Sequence, residues 1–149
     1  MIGDVNLFLY RADDDESDED VVGELEIMIA RTEARGRGLA KEAVQAFMWY
    51  VVDSLPAVLD EYARGCAGGN TTTNNNSSKK PPSRLSYFRV KIDKDNVRSL
   101  GLFENTGFRR VSEPNFFGEV ELRADVGGEA AQSGKRDCII AQTLSYGQV

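Results

Sequence analysis

Histidine is absent from all 149 residues of this chain. That one absence removes Ser-His-Asp and Cys-His nucleophilic catalysis and every histidine metal site. Any general base has to be a carboxylate, a tyrosine, a lysine, a cysteine or water. Cysteine is nearly as scarce. Cys66 and Cys138 stand far apart without ligand spacing, which predicts reduced thiols in a cytoplasmic, reducing setting and no metal site. No apolar run approaches the roughly 20 residues of a membrane-spanning helix. Residues 1–10 carry no basic region or cleavage-like site, so neither a membrane nor a secretory route is expected. Basic charge is short too. With 18 Lys+Arg against 24 Asp+Glu, the net charge is -6, and no basic stripe offers nucleic acid an electrostatic handle.

What is present is a short basic glycine turn, Arg35-Gly36-Arg37-Gly38-Leu39-Ala40, between an extended apolar run and a helical pattern. The first amides of a helix lack internal partners, and the helix dipole favours negative charge there. Glycine lets a ligand approach the backbone closely. Such a turn suits a diphosphate, with Arg35 and Arg37 at hand for charge. Taken alone, the six residues also suit an ordinary strand-to-helix turn with two surface arginines.

The length predicts one domain over 1–149. Residues 5–10 alternate as a strand, and residues 21–30 form the next, with Leu25, Ile27 and Ile29 on one face and Glu24, Glu26 and Met28 on the other. The pair reads as a hairpin around an acidic loop at 11–20. From Leu39 the apolar period becomes helical, and Pro56 is expected to kink or end that helix. Residues 65–83 are low in complexity and read as a flexible insertion. A strand at 85–92 follows, then a helix at 97–106 capped by Asp95 or Asn96 and stopped by Gly107. Residues 108–111, 116–126 and 138–146 read as strands. The expected class is α/β, in the order β-β-α-β-α-β-β, with at least one parallel strand pair.

The Arg35–Ala40 turn followed by Glu42-Ala43, together with Asn96, Ser99 and Gly107-Phe108, resembles the GNAT acetyltransferase superfamily. Within it, residues 1–9 and 23–30 are most similar to the N-acetyltransferase 9 group, and next to acetyltransferases of the ribosomal-protein type. The family fold normally begins with a strand, two helices and a strand. This chain starts at what resembles the third strand, an N-terminally shortened GNAT-like mixed sheet, unless Met1 is not the true start.

The resemblance implies acetyl-CoA as co-substrate and a protein or peptide amine as acceptor, with protein N-terminal α-amines, tubulin among them, as the expected class. It implies that Arg35, Gly36, Arg37, Gly38, Leu39 and Ala40 hold the diphosphate. It further implies that Met28, Ile29 and Ala30 pair through their backbones with the pantetheine arm as an added strand, and that Asn96 and Ser99 reach the cofactor. Glu24 and Glu26 are the expected bases, a pair of carboxylates on one strand face; the alternative is two solvated glutamates on an exposed sheet face. Phe103 stands where many relatives place the tyrosine that protonates the leaving thiolate. The alternative is a non-catalytic module that binds acyl-CoA or a protein partner such as microtubules.

Overall fold

The computed structural model describes residues 1–12, 20–67 and 82–128. Most of the acidic loop, most of the 65–83 insertion and the expected strand at 138–146 lie outside the described residues. The elements run β1 (Gly3–Arg11), β2 (Asp20–Ile29), a 3-10 turn (Thr32–Ala34), α1 (Leu39–Asp53), α2 (Leu55–Ala67), β3 (Arg84–Asp93), α3 (Val97–Glu104), β4 (Arg109–Arg110) and β5 (Glu119–Asp125). The strands form one mixed sheet in the order β1-β2-β3-β5-β4. Only β2 and β3 run parallel, across the α1–α2 crossover; the other neighbours are antiparallel.

The apolar residues of the strands meet all three helices in one cluster. Val44, Met48 and Val51 of α1, Leu59 of α2, and Leu100 and Phe103 of α3 pack with Leu25, Phe88, Val90 and Leu122 of the sheet. Burying each such aliphatic or aromatic side chain contributes roughly 1.5–3 kcal/mol. Alternation puts Glu24, Glu26, Arg89 and Lys91 on the opposite face of β2 and β3.

Three expectations change. Pro56 does end α1, but it also opens α2, one residue after Leu55 begins that helix. A proline in the first turn gives up an N–H that has no intrahelical partner anyway. The order is therefore β-β-α-α-β-α-β-β over the described residues. Asp20 is no loop residue: it starts β2 and is buried. Its Oδ2 accepts from Arg84 and, at 2.8 Å, from the Ser86 hydroxyl. Finally, Phe116 and Phe117 precede β5, almost wholly exposed on a turn. The Asn115 side-chain oxygen accepts from the amides of Phe117 and Glu119 and so folds that turn.

The feature that shapes the site is where β2 and β3 part. Their ladder runs from Asp20↔Arg84 to Glu24↔Arg89 and stops. Beyond it β2 stays paired with β1 as far as Gly3↔Ile29, and β3 stays paired with β5 as far as Asp93↔Glu119. A wedge opens between two strands inside the sheet.

Candidate active site

The inner edge of β2 presents alternate residues to this wedge. Ala30 N–H donates to Ile2 O at 2.8 Å, and at the far end Ala12 N–H donates to Asp20 O at 3.1 Å. Both bonds give the even-numbered residues of β2 their backbone partners on β1. Main-chain groups alternate sides along a strand. The N–H and C=O of Leu25, Ile27 and Ile29 therefore face the wedge, while those of Met28 and the N–H of Ala30 face β1.

After the strand comes the glycine turn. Gly36 and Gly38 hold φ of 73° and 83°, a left-handed backbone that glycine adopts without the Cβ clash of other residues. Gly38 is the N-cap of α1, and no side chain caps that helix. The first-turn amides thus point out of the turn unmatched by the helix itself. A Cβ on Gly38 would meet no atom within 4 Å.

Wedge, turn and the start of α3 enclose one cleft of about 450 Å³. From the sequence-predicted set, Met28 and Ile29 line it from the strand, Arg35, Gly36, Gly38, Leu39 and Ala40 from the turn, and Asn96 and Ser99 from α3. Ala30 and Arg37 do not line it, nor do Glu24 and Glu26. Ile27, Ala34, Lys41, Arg98 and Leu102 line it as well and were not singled out from sequence. Ile27 had a signal, its odd position beside Ile29, but its role needs the β1 register.

Arg35 has a different task from that expected. Its Nε donates to Ile29 O at 2.8 Å and its Nη2 to Ala30 O at 3.4 Å. The guanidinium ties the turn to the end of β2 at the wall of the cleft. Asn96 caps α3: its Oδ1 accepts from Ser99 N–H at 3.2 Å. The Asn96 amide nitrogen donates to nothing among the described residues, so capping leaves it a free donor.

The two carboxylates differ. Glu24 is nearly buried, its side chain 12% exposed, and its Oε2 accepts from Arg89 Nε at 2.7 Å with Lys91 Nζ at 3.6 Å. Arg89 in turn lies over the Tyr10 ring, 5.1 Å from its centroid. Glu26 is exposed, with no ion pair among the described residues. Phe103 belongs to the core. It is 3% exposed and meets Phe108 edge-on at 5.1 Å. Tyr87 lies beneath the Arg123 guanidinium, and Tyr50 is exposed on α1. Among the described residues no cluster of side chains could hold a metal ion, and no helix is long and apolar enough to cross a membrane.

The chain is similar to known proteins. The family model described as the Acetyltransferase (GNAT) domain matches residues 1–109. An N-acetyltransferase 9-like protein of Caenorhabditis briggsae is 35% identical over 134 residues, 89% of this chain and 52% of that protein. The alpha/beta-tubulin-N-acetyltransferase 9 of Homo sapiens is 32% identical over 126 residues, 85% of this chain and 45% of that one. The chain spans about half the length of the curated relatives it matches. Among solved structures, a ribosomal-protein-alanine N-acetyltransferase from Brucella melitensis aligns with a TM-score of 0.43 at 18% identity, over 83% of this chain and 61% of that chain.

Proposed function

The chain belongs to the GNAT acetyltransferase family, and from that premise we propose that it is an acetyl-CoA-dependent N-acetyltransferase acting on an amine. The observation that carries the reading is the single cleft that joins an uncapped glycine turn to an unpaired strand edge inside the sheet. The residues present suit the co-substrate. The open space at Gly38 leaves room for a phosphate against the α1 amides. The Ile27 main chain and the Ile29 N–H suit an amide-bearing arm laid along β2, while the Ile29 carbonyl is held by Arg35. Bound there, acetyl-CoA supplies an acetyl thioester open to attack by an amine.

The chain's own groups have three tasks. Gly36, Gly38, Leu39 and Ala40 bind the diphosphate through backbone N–H. Ile27 donates and accepts along the strand edge, Ile29 donates, and an N–H at the end of that edge steadies the charge that gathers on the acyl oxygen. Asn96 and Ser99 hold the opposite wall. Glu24 and Glu26 are the carboxylates proposed to take the ammonium's proton, directly or through water. Glu26 is the freer of the two, because Arg89 and Lys91 occupy Glu24. Phe103 offers no proton, so the thiolate leaves unaided or takes its proton from water.

The names of the relatives support a protein N-terminal α-amine as acceptor, with tubulin as the first to try. The test is titration calorimetry with acetyl-CoA, followed by transfer of labelled acetyl to an N-terminal tubulin peptide. Binding and transfer are expected; no heat and no thermal shift at saturating acetyl-CoA would end the reading. The buried Phe103 and the ion-paired Glu24 favour a second reading, a non-catalytic module that binds acyl-CoA or a protein partner such as microtubules. Binding without transfer, unaltered by Glu24→Gln and Glu26→Gln, would select it.

A further inference from the structure

Three basic side chains border the cleft: Arg35, Lys41 and Arg98. Arg35 already gives its Nε and one Nη2 hydrogen to the carbonyls of Ile29 and Ala30, which fixes its fork against the turn. Arg98 is in the opposite condition. It stands in the first turn of α3, and its Nη2 lies 3.9 Å from where a Cβ on Gly36 would sit, nearer than any other described atom outside that glycine's chain neighbours. No carboxylate pairs with it among the described residues. The helix beneath it is firmly seated, capped by Asn96 and anchored by buried Leu100 and Phe103. A guanidinium is a rigid fork shaped for carboxylate or phosphate oxygens. Here such a fork rests over a glycine turn.

We propose that Arg98, not Arg35, is the cation that closes on the diphosphate, reaching across the cleft from α3, while Arg35 braces the turn from behind. The proposal rests on the reading of the cleft as an acyl-CoA site. It moves the charge that the sequence assigns to the glycine turn onto an element about 60 residues further along the chain.

Calorimetry with CoA and with 3′-dephospho-CoA tests it, since both ligands keep the diphosphate and only one carries the 3′-phosphate. Arg98→Gln should weaken both ligands equally, by about tenfold or more, with the ligand-free melting temperature unchanged. Arg98→Lys should recover only part of the loss, because an ammonium is a point charge. Arg109→Gln removes the same charge away from the cleft and should change neither affinity. Undiminished affinity in Arg98→Gln overturns the proposal. So does a loss confined to CoA, which would assign Arg98 to the 3′-phosphate, and so does an equal loss in Arg109→Gln, which would make it a net-charge effect. If the unmodified chain takes neither ligand, the acyl-CoA reading itself falls, an outcome distinct from binding that ignores Arg98.

Discussion

Residues 20–24 of β2 are hydrogen-bonded on both flanks, to β1 and to β3, whereas residues 25–29 keep only β1. The first half is closed with charge. Asp20 meets Arg84 and Ser86, and Glu24 meets Arg89 and Lys91. The second half is open, its inner backbone edge facing the cleft. One strand therefore carries ion pairs at its start and, in the proposed reading, the ligand's edge at its end. The boundary falls at Glu24, the last residue of the parallel ladder. Substitutions on the two sides should be told apart by which measurement they move.

The largest effect is expected on the open side. Gly38→Glu places a side chain and a negative charge where the diphosphate is proposed to rest, and CoA affinity should fall by at least about 100-fold, or roughly 3 kcal/mol. Gly38→Ala imposes the same backbone penalty, roughly 1–2 kcal/mol, without the charge. Calorimetry on the two separates strain from repulsion. Retained affinity in Gly38→Glu would break the comparison.

Next comes the closed side. Glu24→Ala leaves a nearly buried Arg89 without its carboxylate, which should cost about 3 kcal/mol and lower the melting temperature by about 10 °C. CoA affinity of the folded chain should not change. A lost affinity with an unchanged melting temperature would put Glu24 on the wrong side of the boundary.

Glu26→Gln sharpens the contrast. The side chain is exposed, so stability should hold within about 0.5 kcal/mol. If Glu26 takes the proton, acetyl transfer to a peptide amine should drop by about 100-fold while CoA affinity stays put. The smallest effect is that of Phe103→Tyr. The new hydroxyl enters packed core and should cost about 1–2 kcal/mol, read by chemical denaturation. A gain in transfer rate instead would move this residue from core to site.

The sequence was legible where local rules decide. Alternation located β1 and β2, and the change of period at Leu39 located α1. Asn96 and Gly107 marked both ends of α3, and Gly107 holds φ of 96° beyond it. Legibility failed where a distant partner decides. Asp20 reads as one more acid in an acidic run until Arg84, 64 residues on, is placed beside it. Met28 and Ala30 look like the exposed edge of β2 until the β1 register shows that their backbones point the other way. Arg35 looks like a phosphate ligand until its guanidinium is seen to need the Ile29 carbonyl, six residues back. Arg98 carries no local signal, because only the fold brings α3 over Gly36. Pro56 was ambiguous for a different reason: a proline that stops one helix can begin the next, and the local sequence does not say which.

The unzipped inner edge of β2 has a further consequence for how the molecule behaves when nothing fills it. Sheets ordinarily blunt their outermost strands with charge or proline to discourage unwanted pairing between molecules. An interior slot that has to admit a ligand cannot be blunted in that way, because any plug would also keep the ligand out. Its lining here is Ile27 and Ile29, residues with a strong taste for β-pairing. On the proposed reading, occupancy of the slot opposes self-association, and added ligand should raise the protein concentration at which aggregation begins.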